Sequence, residues 1–133
     1  VFITKVEFLK QNSDKSFALI DGAMNDLLRP TFYNAYHHVL PVRENSKGID
    51  AKWDLVGPIC ETGDFLAKDR HLSLYEGDYL ALMSAGAYGF SMSSNYNSRP
   101  RVAEVMVSNS EHHLIRKRET IQDLFNTEYL IND

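Results

Sequence analysis

The chain has 133 residues, enough for one domain with one hydrophobic core. A hydrophobic share of 44%, a charged share of 24%, and seven Tyr with seven Phe exclude a disordered polar chain. The net charge of −4, with Asp and Glu spread along the chain, argues against a nucleic-acid or anionic-membrane surface, which needs clustered Lys and Arg.

Residues 2–10 alternate and carry β-branched and aromatic side chains, which predicts a strand. Residues 11–15 read as a turn and 16–20 as the returning strand, leading to Asp21 and Gly22. Residues 24–35 have helical spacing, with Leu27, Leu28 and Phe32 on one side and Pro30 in the first turn or at a kink. A strand is predicted over 36–42, an exposed polar loop over 43–52, and strands over 53–60 and 79–84. Residues 102–107 and 112–118 read as a hairpin across 108–111. Thr120 to Asp123 resembles a helix N-cap ahead of residues 124–130. No internal repeat or low-complexity segment stands out. The expected fold is a single mainly β domain over residues 1–133, a barrel or sandwich with two short helices.

The lone cysteine, Cys60, has no intrachain disulfide partner, and there is no N-x-S/T sequon, which points to a reducing cytoplasm. Residues 79–98 are uncharged, but their serines, asparagines and glycines are unsuited to a membrane span. The first twenty residues lack signal-peptide order. The chain opens without Met in a strand-like run, so further sequence is expected upstream. The pairs His37–His38 and His112–His113 do not predict a metal site, because adjacent strand residues point to opposite faces.

Three clusters could carry chemistry. Cys60 and Glu61, followed by Thr62, Gly63 and Asp64, place a thiol beside a carboxylate, an arrangement suited to proton transfer. The plain alternative is a buried apolar thiol at a strand end. Arg29 and Tyr33 are four apart, so on a helix they share a face and could grip a carboxylate. The alternative is a surface Arg packed over an aromatic ring. The run 85–97, with Gly86, Tyr88 and Gly89, could set backbone N–H groups or a hydroxyl against an anion, or could be a tight turn at a barrel rim.

Five stretches, in order, resemble the C-terminal part of diaminopimelate decarboxylases: TKVEFLK, LIDGAMNDLLRPTFYNAYH, VGPICETGDFLAKDR, GDYLALMSAGAYGFSMSSNYNSRPRVAEVMV and LIRKRET. The resemblance covers nearly the whole chain. It implies a pyridoxal phosphate enzyme of the alanine-racemase-like group, with an N-terminal (β/α)₈ barrel, a C-terminal β domain and an active site shared across a homodimer. It implies decarboxylation of meso-diaminopimelate to L-lysine. It further implies that Cys60 is the proton donor, acting in the partner subunit's site. Arg29 and Tyr33 would bind the substrate's distal end, Glu61 the distal amino group, and Tyr88 the cofactor phosphate and substrate. The family string is C-E-S-G-D, and here Thr62 keeps the hydroxyl and adds a methyl. The family's Schiff-base lysine and Gly-rich phosphate loop belong to the barrel, and the seven lysines here do not sit in that motif. An isolated chain is therefore expected to be inactive. The rival readings are a decarboxylase acting on arginine, ornithine or carboxynorspermidine, and a non-catalytic dimerisation module.

Overall fold

In the computed structural model, residues 1–44 and 47–131 are described. They form two compact units, residues 1–93 and 94–133.

The first unit is a six-stranded sheet. Its strands are β1 (Phe2–Gln11), β2 (Ser16–Ile20), β3 (Val39–Pro41), β4 (Ile49–Val56), β5 (Phe65–Leu74) and β6 (Tyr79–Leu82). Their order is β3-β6-β1-β2-β4-β5, with every pair antiparallel except β2 and β4. The sheet curls into a nearly closed barrel. At the seam the Arg70 guanidinium of β5 lies 4.0 Å over the Tyr36 ring, just ahead of β3.

Alternation explains which side chains fill the barrel. On β1, Thr4 and Val6 point inward, and a bulge between Val6 and Phe8 then shifts the phase, so Leu9 packs on the core instead of Phe8. Trp53, Leu55, Leu66, Leu74, Leu80 and Leu82 are buried to 0% exposure and form the centre. Burial of each such side chain is worth roughly 1.5–3 kcal/mol. The Trp53 indole N–H donates to the Leu72 carbonyl at 3.0 Å, so its polar edge is satisfied inside the barrel.

Two expectations change. Strand β4 begins at Ile49, inside the segment read as a polar loop, and Asn45 and Ser46 of that segment lie outside the described residues. Strand β5 was not foreseen at all. Its middle is Lys68, Asp69 and Arg70, and Asp69 adopts a φ of 54°, which breaks the alternation that marks a strand. The buried Asp54 carboxylate organises this irregularity by accepting from the Asp69 backbone N–H (2.8 Å) and the Lys15 ammonium (3.1 Å).

The expected helix over 24–35 shrinks to α1 (Arg29–Tyr33), with Pro30 in its first turn. Ahead of it residues 24–26 form a turn, with Asp26 accepting from the Ala23 N–H and Asp64 from the Met24 N–H. Asn34, at φ 53°, ends the helix. Strand β3 is shorter than expected; just ahead of it the His38 carbonyl accepts from the Met83 N–H at 2.8 Å and the His37 ring nitrogen meets the Met83 carbonyl at 2.8 Å. The second short helix is α2 (Gly89–Met92), not the segment after Thr120.

The second unit holds the hairpin of β7 (Glu104–Ser108) and β8 (Glu111–Arg116), close to the expected one. Thr120 and Asp123 do bond reciprocally, but they cap only a 3₁₀ turn at Gln122–Leu124. Glu119 accepts from the Arg101 backbone N–H (2.7 Å), the Asn95 amide (2.6 Å) and the Arg101 guanidinium (3.0 Å). The Arg101 backbone bond, then the Asn95 and Arg101 side chains, hold its carboxyl below the ordinary glutamate range, against a partial burial that pushes the other way. A depressed folded pKa stabilises above the unfolded value and loses that contribution as pH falls through the folded one. Unfolding of this unit, followed by hydrogen exchange from pH 7 to pH 3, should therefore ease below the ordinary range. Glu119→Gln should flatten that dependence; an identical pH slope in the variant would rule Glu119 out as its source.

Candidate functional site

The candidate residues come from three places in the first unit. Arg29 and Tyr33 lie at opposite ends of α1. Cys60 and Glu61 lie in the connection between β4 and β5, and Tyr88 precedes α2.

Arg29 and Tyr88 are brought together directly. The guanidinium carbon stands 5.7 Å from the centre of the Tyr88 ring, within cation–π range. Tyr88 is 63% exposed and adopts a φ of 61°. A bulky residue in the left-handed region is a true backbone outlier, of the kind that collects at functional sites. Tyr33 is 60% exposed and meets Phe32 edge to face at 4.9 Å between ring centres. Phe32 is exposed too, so it does not share a buried face with Leu27 as its spacing suggested.

Cys60 is an exposed free thiol, which removes the reading of a buried apolar cysteine. Glu61 is exposed beside it. The connection that presents them is tightly tied. The Gly57 N–H donates to the Asp64 carbonyl at 3.0 Å and closes its neck. The Asp64 N–H donates to the Glu61 carbonyl at 3.0 Å, and the Glu61 N–H to the Ile59 carbonyl at 2.8 Å. Helix α1 is fastened to the same connection, because the Thr31 hydroxyl donates to the Gly63 carbonyl at 2.6 Å. A Cβ at Gly63 would meet Thr31 Cγ2 at 2.9 Å, so the close approach requires glycine. The segment bearing Arg29 and the segment bearing Cys60 and Glu61 are thus joined by a direct hydrogen bond.

Sequence reasoning missed the residues that do this joining. Thr31 stood between Arg29 and Tyr33 without a role, and Asp64 only closed a string. The one available signal was a pair of glycines, Gly57 and Gly63, bracketing an exposed thiol.

The side chains present fit one edge of an anionic cofactor and not a whole cradle. An exposed phenol and a guanidinium can meet a phosphate or a carboxylate from one side. The lysines are occupied elsewhere or solvated: Lys5 pairs with Glu7, Lys15 with Asp54, and Lys68 holds its ammonium 3.5 Å over the Phe65 ring. A polar cleft of about 250 Å³ between the β1–β2 turn and strands β4 and β5 is lined by none of the five candidate residues. Among the described residues, no group of three or more His, Cys, Asp or Glu is placed to hold a metal ion. None of the described helices is long and apolar enough to cross a membrane.

The family model for the pyridoxal-dependent decarboxylase C-terminal sheet domain matches residues 1–86. Diaminopimelate decarboxylase of Vibrio cholerae serotype O1 is 56% identical over 131 residues, which are 98% of this chain and 31% of that protein. The Aquifex aeolicus enzyme of the same name is 57% identical over 122 residues, 90% of this chain and 28% of that protein. Among solved structures, AQ1208 from Aquifex aeolicus superposes with a TM-score of 0.91 at 53% identity, over 97% of this chain and 32% of that one. Diaminopimelate decarboxylase from Helicobacter pylori, complexed with L-lysine, superposes with a TM-score of 0.86 at 41% identity, over 95% of this chain and 31% of that one. The chain spans about a third of the length of the curated relatives it matches.

Proposed function

The chain belongs to the family of pyridoxal-dependent decarboxylase C-terminal sheet domains, and from that premise we propose that it serves a cytoplasmic, homodimeric diaminopimelate decarboxylase. The reaction is loss of CO₂ from meso-2,6-diaminopimelate to leave L-lysine. The observation that carries this reading is the Arg29 guanidinium 5.7 Å from the Tyr88 ring, which sets a cation and an exposed phenol together at the place where the resemblance puts substrate and cofactor.

The substrate has an amino acid at each end. Its far end needs a cation for the carboxylate and an anion for the ammonium. Arg29 offers two parallel donors to the carboxylate, and the Tyr33 hydroxyl can add a third. Glu61 accepts from the ammonium. The opposite charges of Arg29 and Glu61 also orient the far end, since the reversed placement would set like charges together. A decarboxylase of ornithine or arginine would have no far carboxylate for Arg29 to hold.

Bound pyridoxal phosphate supplies the electron sink that makes loss of CO₂ possible. Its lysine and phosphate loop belong to the remainder of the full-length enzyme, as in the family. Tyr88 would offer its hydroxyl to the phosphate, with the Arg29 guanidinium against its ring. Cys60 carries the proton that replaces CO₂ on the α-carbon. The S–H bond breaks as the C–H bond forms, and the thiolate regains its proton from solvent after the product leaves.

Full-length enzyme loaded with pyridoxal phosphate and offered meso-diaminopimelate, ornithine and arginine should release CO₂ from the first alone. Release from ornithine or arginine at a comparable kcat/KM would reject the substrate assignment. Release from none of the three would support the rival reading of a non-catalytic dimerisation module.

A further inference from the structure

His37 is 3% exposed and lies on the stretch that leads from α1 into β3. Its ring makes one polar contact: the Nδ1–H donates to the Met83 carbonyl at 2.8 Å. A carbonyl can only accept, so this contact fixes the hydrogen on Nδ1. The Nε2 atom is buried and meets no hydrogen-bond partner among the described residues. A buried polar atom left unpaired costs free energy, so packing alone does not account for a histidine at this position. Its polar role is carried by Nδ1.

Met83 is held on both sides, because its own N–H donates to the His38 carbonyl at 2.8 Å. The chain then turns through Ser84, at φ 57°, buries Ala85 in the core and reaches Tyr88. Beyond Tyr88 α2 begins, with the Tyr88 carbonyl accepting from the Met92 N–H at 3.3 Å. Upstream of His37 the chain leads back to α1 and Arg29. The two segments that meet at the Arg29–Tyr88 contact are thus tied a second time, at His37 and Met83.

We propose that His37 is a positioning residue for the cofactor and substrate edge: its Nδ1–H pins the start of the Tyr88 loop to the exit of the Arg29 helix, so that phenol and guanidinium keep one spacing. The inference rests on the diaminopimelate reading and adds a residue that touches neither substrate nor cofactor. It concerns one subunit's own residues, since Arg29, His37, Met83 and Tyr88 belong to one chain and need nothing of Cys60. Left-handed backbone at Ser84 and Tyr88 is strained and persists only where neighbouring contacts hold it. The His37–Met83 bond is such a contact ahead of Ser84, and the first turn of α2 is one after Tyr88.

The test uses the full-length enzyme and two readouts. One is titration of the apoenzyme with pyridoxal phosphate, followed by absorbance; the other is steady-state kinetics on meso-diaminopimelate. His37→Leu fills the site without a donor. His37→Asn sets an amide N–H where Nδ1 stood but packs less. His37→Gln keeps an amide and moves it toward the unpartnered Nε2 position. A packing role ranks Leu above Asn, whereas positioning ranks Asn above both Leu and Gln. We expect the Leu and Gln variants to bind pyridoxal phosphate about tenfold more weakly and to lose about 10- to 100-fold in kcat/KM, with the Asn variant within about threefold of wild type in both. If His37→Leu does not fold, the comparison of Asn with Gln decides. An Asn variant as impaired as the others, or three variants that all match wild type, would overturn the proposal. Tyr88→Phe removes the hydroxyl that His37 places. Combined with His37→Gln, it should weaken cofactor binding by much less than the product of the single losses, and losses that multiply would also overturn the proposal. A wild-type enzyme that decarboxylates a different amino acid would reject the substrate assignment alone, and the cofactor titration would still judge His37.

Discussion

Arg29→Ala in the full-length enzyme should cost about 2–4 kcal/mol of transition-state binding, expressed mostly as a raised KM for meso-diaminopimelate. The expectation follows from where the side chain sits. Arg29 occupies the first turn of a one-turn helix whose Pro30 fixes the local φ, so its direction is set by the backbone. Its guanidinium stacks on Tyr88, which restricts it further without consuming its N–H donors. A pre-oriented fork loses little entropy on gripping a carboxylate. Arg29→Lys should recover only part of the loss, because an ammonium cannot reproduce two parallel bonds. The measurement is steady-state kinetics of wild type, Arg29→Ala and Arg29→Lys. Unchanged kinetics in Arg29→Ala would reduce Arg29 to a surface residue packed over a ring.

The parts of the fold legible in the sequence were those with clean periodicity. β1, β2 and β6 alternate or run apolar between turn signals, and they were found with bounds close to the observed ones. β5 was illegible because a left-handed Asp69 interrupts it, and that conformation is held by Asp54, a residue fifteen positions away. The helix over 24–35 was misjudged for the same kind of reason. Leu27 and Leu28 have helical spacing, but residues 24–26 form a turn whose leading N–H groups, of Ala23 and Met24, bond the Asp26 and Asp64 carboxylates. Local spacing could not report Asp54 or Asp64, which reach these segments from distant positions. The candidate residues themselves came from a resemblance over the whole chain, since none of the three clusters was decisive alone. What the resemblance did not contain was the joinery between them, Thr31 to Gly63 and Asp64 to Met24 and Ile59, each of which spans thirty or more positions or closes a loop.

Cys60→Ala in the full-length enzyme should lower kcat by about 10²- to 10⁴-fold, the usual contribution of a positioned acid. The thiol is exposed in a connection stiffened by Pro58 and tied by Asp64, so it is held at the surface of the first unit. An exposed thiol beside a carboxylate is open to oxidation unless another surface covers it. A second subunit would provide that cover and would place the thiol in the partner's site. A mixed dimer separates the two placements. One subunit carries Cys60→Ala and the other lacks the cofactor lysine, so each homodimer is inactive. If Cys60 acts across the interface, the subunit that keeps its lysine borrows a thiol from the lysine variant. One of the two sites is then intact, and each heterodimer should show about half the activity of a wild-type dimer. If Cys60 acts within its own subunit, each site lacks one essential group, and verified subunit exchange would restore nothing.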